Sequence, residues 1–459
     1  MNFCCKVASL AYTFYIREMI IALVNHGCPK NLVDFEYMMT ALSKAGYEVT
    51  LDVDAAELVI VNTCAFIHDA EKESVRTILE IVNMGKKVIV TGCLAQKYKD
   101  ELKKSIPELA ALVGISDFNN IVEVVKKVTS DNDFANFVSP EPCFKFPTVK
   151  GRSLTTMGAS AYLKIADGCD CSCGYCIIPK LRGKQVSRTI EDILDEAKYL
   201  ISLGIVEIIL IAQDTTAYGL DNYKKRMLSD LIKKLNELDG LRWIRIMYAY
   251  PSNVTDELLF AIRDCKKVVK YLDLPLQHYD KDVLKLMKRP VLNYDKLIEK
   301  IRRTVPNIAL RTTFIVGYPQ ETDEQFESLM NFVKRAKFEH AGVFKFCREK
   351  GTYAYTLKGQ ISSKIKNERY NMLMVIQKQI SAIINKNRIN DTIECIIEEI
   401  YDDGTIVMRS QYDAPEIDGN VYSDYNSGKG HDVSPADIVE VKISDADEYD
   451  LNGVITEIL

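Results

Sequence analysis

Residues 168–176 read Gly-Cys-Asp-Cys-Ser-Cys-Gly-Tyr-Cys, and within them Cys169, Cys173 and Cys176 form a C-x-x-x-C-x-x-C pattern. Thiolates are the ligands of iron–sulfur clusters, which ordinarily take four. Three on one short loop leave one iron of a cubane without a protein ligand. An open metal position of that kind can bind a small molecule. A zinc knuckle completed by Cys171 or by a remote ligand fits the spacing comparably well. Three other cysteines share a second pattern. Asn25-His26-Gly27-Cys28, Asn62-Thr63-Cys64 and Thr91-Gly92-Cys93 each close a short β-branched run, at 20–24, 58–61 and 87–90. A lone buried cysteine behaves as a small hydrophobe. Three in the same topological position point to a ligand set.

The elements around these residues say where they must meet. Helical patterns at 31–45 and 70–84 separate the three runs, which therefore read as βα units on a parallel sheet. Ligands of such sheets bind beyond the carboxyl ends of the strands, so Cys28, Cys64 and Cys93 converge on one edge. Pro140, Pro142, Pro147 and Gly151 mark a linker over 136–154. A second βα series follows, with strands expected at 162–165, 207–212, 243–247, 271–274, 310–316 and 343–346. Helical stretches such as 190–203 and 323–336 lie between them. About six such units suggest a full or partial α/β barrel with its site at the C-terminal strand ends. The loop of Cys169 leaves the first of those strands. A basic helical stretch at 362–387 leads to strands at 392–397, 405–409, 438–443 and 454–459, a small β-barrel. The fold class is α/β, with an extension at 1–18, an N-terminal parallel-sheet domain at 19–135, a barrel domain at 155–388 and the β-module at 389–459.

Composition limits the function. The chain has 459 residues, 47% hydrophobic and 27% charged, which excludes wholesale disorder, a collagen-like repeat and a disulfide miniprotein. Its 13 cysteines come without a convincing export signal or an 18-residue apolar run. A reducing, cytoplasmic setting is expected, where clustered cysteines are ligands more often than bridges. The net charge of −5 hides two opposed parts. Residues 391–459 hold 18 acids against three bases, a net −15, so the 390 residues before them carry +10. Sign asymmetry of this kind suggests a charged partner.

Several stretches resemble the radical S-adenosylmethionine superfamily and, within it, the methylthiotransferases. Gly27-Cys28-Pro29-Lys30-Asn31-Leu32-Val33-Asp34 looks like the opening signature of the branch that modifies ribosomal small-subunit protein S-twelve. Residues 161–169, Cys176-Ile177-Ile178-Pro179, residues 210–216 and residues 413–419 are similar to that branch as well. The tail is similar to a TRAM domain. The resemblance spans 19–459. It implies that Cys169, Cys173 and Cys176 hold a 4Fe-4S cluster whose free iron chelates S-adenosylmethionine. One electron then yields a 5′-deoxyadenosyl radical that removes a hydrogen from an unactivated carbon. It implies a second 4Fe-4S cluster on Cys28, Cys64 and Cys93 that delivers sulfur. A second S-adenosylmethionine supplies the methyl group, and the target is the β-carbon of an aspartate. C–H abstraction needs near-contact, so the two cysteine sets are expected to face each other. An electron donor is required, nothing demands a membrane, and a monomer suffices.

Further candidates follow from position. Gln213 and Asp214 follow the second barrel strand, and Gln213 is a candidate to hold S-adenosylmethionine. Arg188, beside Ser187, is a candidate partner for the cofactor carboxylate. Gln277 and His278 follow the strand at 271–274. Arg311 starts a strand ending at Gly317, a glycine suited to close approach of a cofactor. No catalytic acid or base is identified. Cys171 and Phe35 depart from the expected pattern. Cys4, Cys5, Cys143, Cys265, Cys347 and Cys395 match no motif. A module at −15 would repel RNA, whose phosphates dominate affinity, and attract a basic ribosomal protein. The alternatives are methylthiolation of transfer-RNA adenosine, an iron–sulfur electron carrier, and a zinc-dependent RNA-binding protein.

Overall fold

The computed structural model describes residues 19–130, 133–147, 151–155, 158–424 and 433–459. The expected extension at 1–18, with Cys4 and Cys5, lies outside the described residues. The chain opens on six parallel strands: β1 (Ile20–Asn25), β2 (Glu48–Thr50), β3 (Leu58–Thr63), β4 (Lys87–Gly92), β5 (Ala111–Val113) and β6 (Ala135–Phe137), in the order β2-β1-β3-β4-β5-β6. Every residue of β3 is buried, as expected of a strand covered on both faces. Three-residue β2, β5 and β6 carry too few positions to show a period. The expected linker at 136–154 therefore begins inside β6. Helix α1 (Pro29–Lys44) starts directly after Cys28, with Pro29 in its first turn, where a missing N–H costs nothing. Helices α2 (His68–Asn83) and α3 (Cys93–Tyr98) follow β3 and β4 in the same way. Phe35 is 2% exposed and belongs to this domain's core, which explains a bulky residue there.

The second series begins with β7 (Ser160–Lys164) and the short pair β8 (Ala166–Asp167) and β9 (Val186–Ser187), which brackets the cysteine loop. Then come β10 (Glu207–Ile211), β11 (Trp243–Ile246), β12 (Tyr271–Asp273), β13 (Ala309–Val316) and β14 (His340–Lys345). They form the parallel arcs β7-β10-β11 and β12-β13-β14, joined where Ile244 bridges to Val268. The result is a six-stranded partial barrel. Successive side chains along a strand point to opposite faces. Ile209, Ile211, Met247 and Tyr271 accordingly belong to the core shared with the N-terminal domain. Ile208, Leu210, Ile246 and Leu272 pack in a separate core with the surrounding helices.

Helix Ser363–Lys386 leads to a closed antiparallel-rich barrel of β15 (Thr392–Ile400), β16 (Thr405–Ser410), β17 (Val421–Asp424), β18 (Ile438–Ala446) and β19 (Leu451–Ile458). This module docks on the N-terminal ends of the central strands. Arg409 pairs with Glu207 at the start of β10. The Tyr271 hydroxyl donates to Asp418 at 2.7 Å, and His340 lies 3.3 Å from Asp413. The docking corrects the charge argument. Asp413, Asp418 and Glu398 are spent on His340, Arg311 and Arg409, so the module presents less than −15 outward. Glu394, Asp402, Asp403, Asp445, Asp447 and Glu457 stay exposed. No helix among the described residues is long and apolar enough to cross a membrane.

Candidate active site

Cys28, Cys64 and Cys93 follow the C-terminal ends of the adjacent strands β1, β3 and β4. Two of them leave their strands through a glycine at positive φ, Gly27 at 118° and Gly92 at 90°. A side chain at Gly92 would come within 2.6 Å of the Thr63 carbonyl, so only glycine makes this turn. Asn31 and Asn62 lock the strand ends together. Asn31 donates to the Thr63 carbonyl at 2.9 Å, and Asn62 donates to the Asn31 carbonyl and to Asn25, both at 2.8 Å. Burial pushes the Cys64 thiol up to about 12, and the Cys93 and Cys28 thiols add to the shift. Burial also raises the Cys93 thiol, against the pull of Arg182.

Cys169, Cys173 and Cys176 lie on the loop between β8 and the helix Ile178–Arg182. Gly168, at φ 78°, turns the chain where a side chain would run into the Lys184 carbonyl. Cys169 N–H donates to the Gly183 carbonyl at 3.1 Å, and Gly174 N–H to that of Met287 at 2.7 Å. Arg289 reaches in from the far side of the barrel. Its guanidinium lies 3.7 Å from Cys173 Sγ and donates to Tyr175 at 3.3 Å and to the Pro275 carbonyl at 2.8 Å. Burial lifts the Cys176 thiol to about 12. Cys171 N–H donates to Cys169 Sγ at 3.4 Å, and the hydrogen bond between the two thiols raises the Cys171 thiol strongly.

A buried network joins the two triads. Arg182, at the end of the central loop's helix, donates to Asn31 at 2.6 Å and to Asp167 at 2.7 Å, and lies 4.0 Å from Cys93 Sγ. Lys164, the last residue of β7, pairs with Asp34 of α1 and with Asp167. Burial acts to raise Asp167, but Arg182 and Lys164 outweigh it and hold the carboxyl at about 2. The C-terminal edge of the first sheet thus faces the C-terminal end of the barrel, with one cysteine triad on each side. Three thiols beside a buried guanidinium suit an anionic thiolate-held cluster on either side. Among the described residues, no three ligating side chains are gathered at metal-bond spacing.

The other candidates divide. Gln213 donates to Asp167 at 3.1 Å, and its Oε1 is buried without a partner, an acceptor left open at the mouth. Gln277, at φ 73°, extends the barrel through its backbone, donating to Thr313 and accepting from Ile315. Arg188 has its donors taken. It pairs with Glu196 and with Asp192 at 2.6 Å and donates to the Lys164 carbonyl at 3.1 Å, so its guanidinium ties helix Ile190–Ser202 to the end of β7 and is not left free for a cofactor carboxylate. The space over Gly317 is filled by the Lys366 stem, which corrects the expected approach of a cofactor there. His278 is fully buried, and its Nδ1 accepts from the Asp280 N–H at 3.0 Å, a core role. Arg311 meets Asp418 at 3.5 Å, at the end away from the cysteines. Sequence reasoning missed Arg182 and Arg289. Arg182 had one available signal, its place six residues after Cys176.

Three family matches tile the chain: the uncharacterized protein family UPF0004 over residues 20–114, the Radical SAM superfamily over 163–333 and a TRAM domain over 389–456. The "Ribosomal protein uS12 methylthiotransferase RimO" of Caldanaerobacter subterraneus subsp. tengcongensis is 46% identical, covering 94% of this chain and 99% of that protein. The protein of the same name from Microcystis aeruginosa is 45% identical over 95% of this chain and 98% of its own length. Among solved structures, the radical S-adenosylmethionine methyltransferase TsrM from Kitasatospora setae, with cobalamin and a [4Fe-4S] cluster bound, superposes with a TM-score of 0.54. It is 14% identical and covers 72% of this chain and 75% of that one, a likeness of fold. The chain therefore belongs to the ribosomal protein uS12 methylthiotransferase RimO family, within the Radical SAM superfamily.

Proposed function

We propose that this protein places a methylthio group on the β-carbon of an aspartate in ribosomal protein uS12. The observation that carries the proposal is the pair of cysteine triads at facing strand ends, joined through Arg182 and Asp167. Cys169, Cys173 and Cys176 would hold a 4Fe-4S cluster, and Cys28, Cys64 and Cys93 a second one. With S-adenosylmethionine, the bound clusters supply one-electron cleavage of the sulfonium and the sulfur and methyl that replace a substrate hydrogen. The chain supplies position and exclusion of water. Arg289 and Arg182 place positive charge beside the two thiolate sets. Gln213 Oε1, buried and unpartnered, is suited to accept from the S-adenosylmethionine ammonium. The acids left exposed on the C-terminal module suit a basic ribosomal protein, free or within the subunit, and rim charges chiefly steer association. The proposed setting is cytoplasmic, with an electron donor and a monomeric enzyme.

The test uses anaerobically purified protein, a reductant and S-adenosylmethionine. Iron analysis should give about eight per chain, two cubanes of four. Mass spectrometry should find the methylthio mass on a uS12 aspartate. Zinc in place of iron, or modified transfer RNA beside unmodified uS12, would overturn the proposal.

A further inference from the structure

Lys30 differs from the other buried cations of the mouth. Lys164 and Arg182 meet carboxylates, and Arg289 meets a thiol, a hydroxyl and a carbonyl. Lys30 is 8% exposed, yet among the described residues it has no hydrogen-bond acceptor and no carboxylate at ion-pair distance. Its ammonium lies over the Tyr248 ring, 3.3 Å from the centroid. A cation–π contact leaves the three ammonium donors open to a ligand.

Tyr248 supplies an independent observation. It has φ 60°, a left-handed conformation in which a bulky residue is an outlier. Its neighbours hold it there. The Tyr248 N–H donates to Asp273 at 3.0 Å, and its carbonyl accepts from the Thr215 N–H at 3.2 Å and from the Thr215 hydroxyl at 2.9 Å. Strain enforced in this way clusters at ligand clamps. The ring follows β11 at the C-terminal end of the barrel, and Lys30 stands in the first turn of α1, two residues after Cys28. The free ammonium therefore sits between one cysteine triad and the barrel mouth, where a substrate carbon would have to lie.

We propose that Lys30, held over Tyr248, grips the side-chain carboxylate of the residue being modified and thereby selects aspartate. This rests on the function proposed above. The β-carbon is bonded directly to that carboxylate, so gripping the carboxylate fixes the reacting carbon. A charge-assisted hydrogen bond also separates aspartate from asparagine, its uncharged isostere.

The test compares anaerobic holoenzyme as wild type, Lys30→Gln and Lys30→Arg. Each is given peptides copying the uS12 target loop with Asp or Asn at the modified position. Binding is read by fluorescence anisotropy and methylthiolation by mass spectrometry. The wild type should favour Asp over Asn by about ten- to a hundred-fold, the range of a hydrogen bond to a charged group. Lys30→Gln should bring the ratio near one, and Lys30→Arg should restore part of it. Both peptides meet the same enzyme preparation, so lost clusters or poor folding cancel from the ratio. An unchanged ratio in Lys30→Gln overturns the role of Lys30, and would fit a lysine that merely offsets thiolate charge near Cys28. A wild type that modifies transfer RNA and neither peptide overturns the substrate itself.

Discussion

At its N-terminal end the central barrel meets the β-module through Arg409, Glu207, Arg245 and His340; at its C-terminal end it meets the first domain through Lys164, Arg182, Asp34 and Asp167. Both contacts are buried ion-pair networks. At the lower end, Arg245 donates to Glu207 at 2.8 Å, and Arg409 donates to Glu398 at 2.8 Å and to Ser160 at 2.7 Å. Burial acts to raise Glu207, but Arg245 and Arg409 hold it at about 2. One donor is left over, Arg245 Nη2, on a guanidinium that rests over Tyr271, 4.8 Å from the centroid. The upper end has the same kind of frame but leaves valences open: two thiol triads, the Lys30 ammonium and Gln213 Oε1. Desolvation offsets much of the Coulomb gain in such pairs, so what they chiefly supply is a fixed docking geometry. The difference separates scaffold from site. A network that closes but for one donor positions domains, and one that leaves several valences open at one place marks where something else binds.

The largest expected effects come from splitting the upper end. Cys173→Ser should abolish formation of 5′-deoxyadenosine from S-adenosylmethionine altogether. Cys93→Ser should keep that reaction and lose the methylthio product. Chromatography of the nucleoside and mass analysis of the peptide read the two separately. Loss of both in Cys93→Ser would mean that the triads act as one unit. Next in size is a matched pair across the barrel, Arg182→Met and Arg409→Met. Each strands buried carboxylates, at a cost of about 3–5 kcal/mol, visible as a lower thermal midpoint. Only Arg182→Met should also reduce methylthiolation per folded molecule. Equal losses of activity would break the distinction between the two ends.

What the sequence disclosed follows from how local each signal was. Cys169, Cys173 and Cys176 are contiguous, and Cys28, Cys64 and Cys93 repeat one strand-end pattern, so both triads and the α/β class were legible. The second barrel strand, expected at 207–212, is found at Glu207–Ile211, because its continuous apolar run is bounded by turns. β2, β5 and β6 were not seen, since three residues hold no period. Arg188 differs from expectation for another reason. Its sequence neighbourhood shows the cluster loop, whereas its carboxylate partners are one and two helical turns ahead, at Asp192 and Glu196, and its third partner is the Lys164 carbonyl 24 residues back. Arg289 lies 116 residues from Cys173, a contact that only the closing of the barrel makes. The tail holds 18 acids against three bases, but a count cannot tell which acids face inward.

The smallest expected effect tests whether the lower end is an electrostatic clamp. His340 lies 3.3 Å from Asp413 and 3.5 Å from Asp418, and its ring nitrogen meets the Tyr412 carbonyl at 3.0 Å. Burial acts to lower its pKa, but Asp418 and Asp413 win and raise it to about 9 from the usual 6.5. A group whose folded pKa is raised gives its full stabilisation below the unfolded value and loses it as pH rises through the folded one. The window here is pH 6.5 to 9. The imidazole side chain keeps 20% of its exposure, so a loss on the order of 1–2 kcal/mol between pH 7 and 9 is expected. Other groups titrate in that range, and the comparison must therefore be with His340→Gln, which should be less stable at pH 7 and level with the wild type near pH 9. Methylthiolation per folded molecule should stay parallel in the two proteins, because His340 touches only the closed end. Thermal midpoints that stay equally far apart at both pH values would show that the module is held by packing around Ile396, Ala414 and Ile438. The two ends would then differ in the kind of force that closes them as well as in what they leave open.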